Sequence, residues 1–210
     1  MKTKDKIVHT SLTLFNKYGE RAVTTNHIAE HLGISPGNLY YHFRNKEDII
    51  RSIFSLYIDF IGHSIDPPGE SEDAETFLQV YCKQVFESIW RFRFFHASMP
   101  GILYRDDALH QQYLQAHELL GLRAAAALKR LQQEELIIIE DGDIDELVEL
   151  MRLVTGFWVS YNMANSMKGQ ITRKQVDCGV LRLIRLISPY GTPSGLRIFN
   201  KLRQQYLGQL

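Results

Sequence analysis

Two histidines four residues apart, His27 and His31, would share one face of a helix, which is a metal-binding spacing. No third ligand completes a site around them, so they read as surface or core-edge histidines. The two cysteines, Cys82 and Cys178, are far apart, with neither metal-like spacing nor a disulfide framework. The adjacent carboxylates Asp106–Asp107 and Glu134–Glu135 would point to different faces of a helix, so neither pair could flank a reacting bond. There is no nucleophile elbow, phosphate loop or metal cluster. An enzyme is not expected, and neither is a cofactor.

Contact chemistry is better represented. The stretch GISPGNLYYHF, Gly33 to Phe43, places a proline and two glycines ahead of three aromatics and a histidine, with almost no charge. A core strand would not hold the proline, and an ordinary surface helix would not hold the aromatics. The elements around the stretch resolve this. Val8, Leu12 and Phe15 form one face of a helix over 5–18, closed by Gly19. Thr24 caps a helix over 25–32 and Gly33 ends it. Ser35 caps a short third helix over 36–42, with Pro36 at the first position, where its missing N–H costs nothing. Asn45 and Asp48 open a fourth helix with a pair like a capping box.

Three short helices with a tight turn between the second and third read as a helix-turn-helix. Ala29 is small where two helices cross, Gly33 permits a left-handed turn, and Ile34 plugs the space between them. Leu39 and Phe43 anchor the third helix. Pro36, Gly37, Asn38, Tyr40, Tyr41 and His42 are left pointing outward or along the edges. A short helix presented N-terminus first suits phosphates, and its first turn reaches base edges in a major groove. Residues 35–43 hold no Arg or Lys, so bidentate reading of guanine is unavailable there. Asn26 and Asn38 favour adenine, and Pro36 and Tyr41 suit thymine methyls. Half-sites with A/T contacts are expected.

The stretch 24–50, TTNHIAEHLGISPGNLYYHFRNKEDII, resembles the DNA-binding signature of TetR-family transcriptional regulators. Thr24, Ile28, Ala29, Gly33, Leu39, Tyr40, Phe43 and Lys46 fall at the family spacing, and with the first helix the likeness covers about 50 residues. The resemblance implies phosphate contact at Thr24 and Thr25 and base contact at Asn26. It implies a leading recognition turn of Ser35, Pro36, Gly37 and Asn38, with backbone contacts from Tyr40 and His42. Tyr41 would lie along the groove, and Lys46 would clamp a phosphate. His27 departs from the pattern, standing where the family commonly has an acidic cap partner, which weakens the capping box expected there.

The expected fold is all-α, with a helix-turn-helix domain over 1–46 and a helical domain over 47–210, joined by a helix over 46–63. DPPGESED (66–73) reads as a linker. Long helices are expected over 73–95, 106–134, 144–167, 173–187 and 194–207, with MPG (99–101) and EDGD (140–143) as breaks and IIIE as a helix end or loop. By resemblance the second domain binds a small effector and forms a homodimer through helices 144–167 and 173–187. The apolar stripes would be Leu147, Leu150, Met151, Val154, Trp158 and Tyr161 with Val180, Leu183, Ile184 and Ile187, and Gly156 and Ala164 would permit close approach. The last helix would pack on this interface or cover the pocket. Trp90, Phe94, Tyr104, Tyr113, Trp158 and Tyr161 are the candidate lining residues, which suits an apolar or aromatic effector. Arg91, Arg93 and Arg105 could instead hold an anion.

The 210 residues are 45% hydrophobic and 23% charged, ordinary for a globular protein, with a formal net charge of zero. Residues 1–63 carry 8 of the 24 basic and 6 of the 24 acidic side chains, a net of +2 against −2 elsewhere. A split that small does not itself argue for nucleic acid. No signal peptide and no apolar run of membrane-spanning length are present, so a cytoplasmic protein is expected. The leading expectation is a repressor that binds a palindromic DNA operator as a dimer and is released by an effector. The alternative is a constitutive or architectural regulator whose second domain binds nothing.

Overall fold

The computed structural model describes residues 2–64, 73–167 and 169–208. Among them run ten α-helices: α1 Thr3–Tyr18, α2 Thr25–Leu32, α3 Pro36–His42, α4 Lys46–Ser64, α5 Ala74–Arg91, α6 Arg93–Tyr104, α7 Asp107–Gln133, α8 Asp141–Ala164, α9 Arg173–Ile187 and α10 Pro193–Gly208. The all-α expectation holds. The expected linker lies outside the described residues except for Asp73, whose carboxylate accepts from Thr76 N and caps α5. No described helix is long and apolar enough to cross a membrane.

Three expected boundaries fall elsewhere. The helix expected over 73–95 ends at Arg91, because Phe92 leaves helical geometry (φ −112°, ψ 29°) to bury its ring. MPG breaks nothing, since Pro100 sits inside α6. A proline there frees the carbonyl four residues back. That carbonyl belongs to His96, and Ser160 Oγ of α8 donates to it at 2.8 Å. EDGD is likewise no break. Asp141 and Asp143 form the first turn of α8, where carboxylates complement the positive helix end. The break lies ahead of it, in the non-helical residues 134–140, where Ile137 bridges antiparallel to Gly191.

Apolar packing divides the chain differently from the sequence boundary near residue 46. One cluster runs from Ile7, Phe15 and Leu39 through Phe54 and Tyr57 to Phe95 and Leu109. It fuses α1–α3 to α4, α6 and the first half of α7. The other holds α5, the second half of α7, and α8–α10. α10 docks through Phe199 and Leu202 against α5 and α9, where it roofs an apolar void of about 40 Å³. Its start is pressed on the 136 segment so closely that a Cβ at Gly195 would lie 1.9 Å from the Leu136 carbonyl oxygen.

Candidate nucleic-acid interface and effector cavity

The turn between α2 and α3 is built as its residues dictate. Gly33 adopts the left-handed conformation (φ 66°) and Ile34 N donates to Ala29 O. Ser35 Oγ accepts from Asn38 N at 3.2 Å, capping α3 ahead of Pro36. Leu39 is fully buried and Phe43 nearly so, which pins α3 from one side. Pro36, Gly37, Asn38 and Tyr40 are exposed on the other, and Tyr41 is 85% exposed. His42 is half-buried and meets Tyr41 edge-on at 5.1 Å. On α2, Thr24 and Asn26 are exposed and Thr25 is half-buried. Thr25 Oγ1 and Tyr40 Oη share a hydrogen bond of 2.9 Å, so the two helices are tied at the face they present together.

The capping box of α2, expected to be weakened, is closed. Thr24 Oγ1 accepts from His27 N at 3.2 Å, and His27 Nδ1 accepts from Thr24 N at 3.4 Å. An unprotonated imidazole nitrogen supplies the acceptor that a carboxylate would otherwise give. No group of three or more His, Cys, Asp or Glu among the described residues could hold a metal.

Lys46 is placed differently from a free phosphate clamp. Its Nζ meets Glu20 Oε1 at 3.0 Å and donates to the carbonyls of Glu20 and Val23 at 2.9 and 3.4 Å. An ammonium has three N–H groups, and these three acceptors use them. Glu20 is fully buried and also binds Arg105 Nη2 at 3.1 Å. The next residue, Asp106, caps α7 through Leu109 N and accepts from Arg51 of α4 at 2.6 Å. The α6–α7 corner is thereby ion-paired both to the helix-turn-helix and to α4. Nothing in the local sequence marks Glu20 or Asp106; each looks like any acid in a turn.

The expected dimer stripes are rearranged. Val180, Leu183, Ile184 and Ile187 of α9 are buried within the protomer, as is Leu147 of α8. The outer side of α9 carries Arg182 and Arg185, with Cys178 and Leu181 half-buried beside them. On α8 an apolar row stays exposed, formed by Leu150, Leu153, Phe157 and Tyr161. Gly156 faces an internal cavity, and the unforeseen close approach is at Gly179, where a Cβ would fall 2.2 Å from the Phe86 ring.

That cavity, about 70 Å³, lies among α4, α5, α6, α7, α8 and α9. None of the six candidate lining residues borders it. Tyr104 is 89% and Tyr161 62% exposed. Trp90 is occupied by the Arg93 guanidinium 4.0 Å above its ring. Trp158 donates to Gln175 O, and Phe94 packs on Phe15. Tyr113 packs its ring, tilted, against that of the wall residue His117 at 4.2 Å. The wall is made instead by Tyr57, Tyr81, His96, His117, Met151 and Arg152 among others. Aromatic content pointed to rings that pack elsewhere or face solvent, whereas the cavity forms where small residues, Ala124 and Gly156, leave room. Burial pushes His96 down to about 4, and burial with Arg152 nearby pushes His117 down to about 4. Burial likewise pushes the Cys82 thiol up to about 12.

Comparison with known proteins bears on both halves. Residues 7–53 match a family model described as bacterial regulatory proteins, tetR family, and residues 56–199 match one described as TetR, a bacterial transcriptional repressor. The chain is 30% identical over 113 residues to the biofilm operon icaADBC negative transcriptional regulator IcaR of Staphylococcus epidermidis, covering 52% of this chain and 61% of that one. It is 30% identical over 76 residues to the class C tetracycline repressor protein of Escherichia coli, covering 36% and 34%. The alignments thus span less than two thirds of those relatives. Among solved structures, a TetR-family transcriptional regulator from Marinobacter aquaeolei superposes with TM-score 0.89 at 34% identity, covering 98% of this chain and 99% of that one. The ketosteroid transcriptional regulator KstR2 of Mycobacterium tuberculosis shares the fold at TM-score 0.66 and 16% identity, over 91% and 96%.

Proposed function

This chain belongs to the TetR family of bacterial transcriptional regulators, and from that premise we propose a repressor that binds a palindromic operator as a homodimer and releases it when an effector enters the second domain. The observation that carries the reading is the outer face of α3, with Asn38, Tyr40 and Tyr41 exposed on a helix fixed from behind by Leu39 and Phe43. Thr24, Thr25, Asn26 and the turn Ser35–Pro36–Gly37–Asn38 would meet the groove and its phosphates, with Tyr40 and His42 on the backbone. Lys46 would act at one remove, by holding the turn that contains Glu20 and Val23.

One helix-turn-helix reads one half-site, and two-fold pairing reads a palindrome. The row Leu150, Leu153, Phe157 and Tyr161 is the apolar surface a second copy would cover, because a monomer rarely leaves so contiguous a row in water. Asp145, Glu146 and Glu149 beside it and Arg182 and Arg185 on α9 offer complementary charge across the two-fold axis.

Release would run through the α6–α7 corner. His96 of α6 and His117 of α7 border the cavity, and Arg105 and Asp106 at the corner hold Glu20 and Arg51. An effector that binds one arrangement of α6 and α7 better shifts the population of the other, and with it the half-site spacing. The retained cavity supports this over a constitutive regulator, for which a filled interior would be expected. The experiment is selection from random duplexes with the purified protein. An inverted repeat bound by two protomers is expected. A single, non-repeated site bound by a monomer would overturn the reading.

A further inference from the structure

The cavity wall carries three nitrogen-bearing side chains and no carboxylate. His96 is 5% exposed, and neither of its ring nitrogens completes a well-formed hydrogen bond, although the Gly156 backbone approaches the ring. Arg152 Nε is equally buried and unpartnered. Buried polar groups are almost always paired, and each unpaired one costs stability. Three such atoms from two residues around one void mark a place prepared for polar atoms of something else.

The protonation states say what kind. Arg152 Nη2 lies 3.0 Å from His117 Nδ1. A guanidinium only donates, so His117 Nδ1 carries its lone pair and the ring is neutral, with its proton on Nε2. Burial keeps His96 neutral as well, and outweighs the opposing effect of the hydrogen-bonding Gly156 backbone nearby. The fixed charge on the wall is therefore Arg152. Among the described residues it forms no ion pair. Glu118, Asp145 and Glu149 border the open α7–α8 groove on its other side, which Arg152 also lines. The rest of the wall is largely apolar, with Val85, Ile89, Leu120, Met151 and Leu183, and Tyr57 and Tyr81 adding aromatic rings.

One unpaired cation, imidazole N–H donors and an apolar remainder suit one ligand class. We propose that the effector is a monocarboxylate with an apolar body, its carboxylate held by Arg152 with His96 and His117, and its body against Met151 and Leu183. The assignment rests on the effector-responsive reading of this domain. A cavity of about 70 Å³ holds a few waters, whereas ligand pockets run to roughly 300–1,000 Å³. Entry therefore requires side chains to move. Arg152 and His117 are placed to do so, since both line cavity and groove. Arg152 also lies across Gly121, where a Cβ would stand 3.5 Å from Nη1.

The test uses three probes of one skeleton, 3-phenylpropionate, 3-phenylpropanol and 3-phenylpropylamine, titrated into the full-length protein at pH 7 by calorimetry. Binding by the carboxylate alone is expected, weakened at least tenfold in Arg152→Met. In the wild type, the imidazole nitrogen resonances of His96 and His117 should shift with the carboxylate and not with the alcohol, a readout independent of how well the variant folds. Equal binding by the alcohol or the amine, no binding by any probe at millimolar concentration, or unchanged carboxylate affinity in Arg152→Met would each overturn the assignment. Operator binding separates the two readings. A carboxylate that binds through Arg152 without loosening the operator supports the site and removes the effector role. An alcohol that binds and releases the operator does the reverse.

Discussion

Glu20 and Arg105 are 85 positions apart in the chain, and their side chains meet at 3.1 Å. Glu20 is fully buried and makes its other ion pair with Lys46, so a single carboxylate joins the start of α4 to the α6–α7 corner. A buried charge needs its partners. Replacing Lys46 by Met removes one of two cations and leaves Arg105 alone. The expected loss is about 1.5–3 kcal/mol, the worth of a hydrogen bond to a charged group. A direct phosphate contact would instead lower the salt slope of operator binding by about one. Chemical denaturation together with operator titrations at several salt concentrations decides between them. Loss of stability at unchanged slope is expected, and a lowered slope at unchanged stability would return Lys46 to the DNA.

Tyr41 is the opposite case. At 85% exposure, with His42 its ring contact, it contributes little to folding. Tyr41→Ala should melt with the wild type yet bind the operator about tenfold more weakly, roughly 1.4 kcal/mol. A melting temperature lowered by several degrees would make Tyr41 structural.

The half-site itself is a third expectation. Residues 35–43 offer asparagine, proline and tyrosine and no Arg or Lys. Guanine is most often read by a bidentate Arg or Lys. The selected half-sites should contain A/T pairs at directly contacted positions, and a core determined by G/C pairs alone would contradict the assignment.

Local signals were the legible ones. Thr24, Gly33, Ser35, Pro36 and Gly19 mark helix ends because cap and turn chemistry acts within four residues. The order of α1–α4 and the exposed face of α3 follow from them. What the sequence hid was set across distance. Pro100 reads as a break because its compensation, Ser160, lies on another helix. His27 reads as a weakened cap because its carboxylate-like use of Nδ1 depends on tautomer and rotamer. The cavity was missed for a related reason. Its nitrogen-bearing wall comes from α6, α7 and α8, and single residues there, His96, His117 and Arg152, look like ordinary core-edge groups until packing pairs Arg152 with His117 and leaves His96 and Arg152 Nε unsatisfied.

Those histidines set a pH dependence. Both have folded values pushed down to about 4, below the roughly 6.5 of an unfolded chain. The unfolded state then binds the protons first as pH falls, so their stabilising contribution is full above about 6.5 and declines steadily between about 6.5 and 4. Each contributes a slope of at most about 1.4 kcal/mol per pH unit, less for the more exposed His117. Asp48, held low first by its hydrogen bond to Arg51, loses its contribution only at more acid pH. Denaturation midpoints from pH 7.5 to 4.5 should fall, and His96→Leu should flatten the decline. A flat wild-type profile across that window would mean that neither imidazole is buried in its neutral form.

Gly179 tests the packing that shapes this half of the chain. A Cβ there would stand 2.2 Å from Phe86 Cε1 and 3.0 Å from Trp158 Cδ1. Phe86 is buried in the second core cluster and has no solvent to swing into. Gly179→Ala should therefore cost about 1–3 kcal/mol of overpacking, although alanine is the better helix former. At about 2–4 °C per kcal/mol for a chain of this length, that lowers the melting temperature by several degrees. Shrinking the ring should recover part of the loss. Phe86→Leu alone opens a void, but in the double variant the added methyl enters that void, and the two costs become less than additive. A double-mutant cycle with no coupling would mean that α5 and α9 do not meet at this contact.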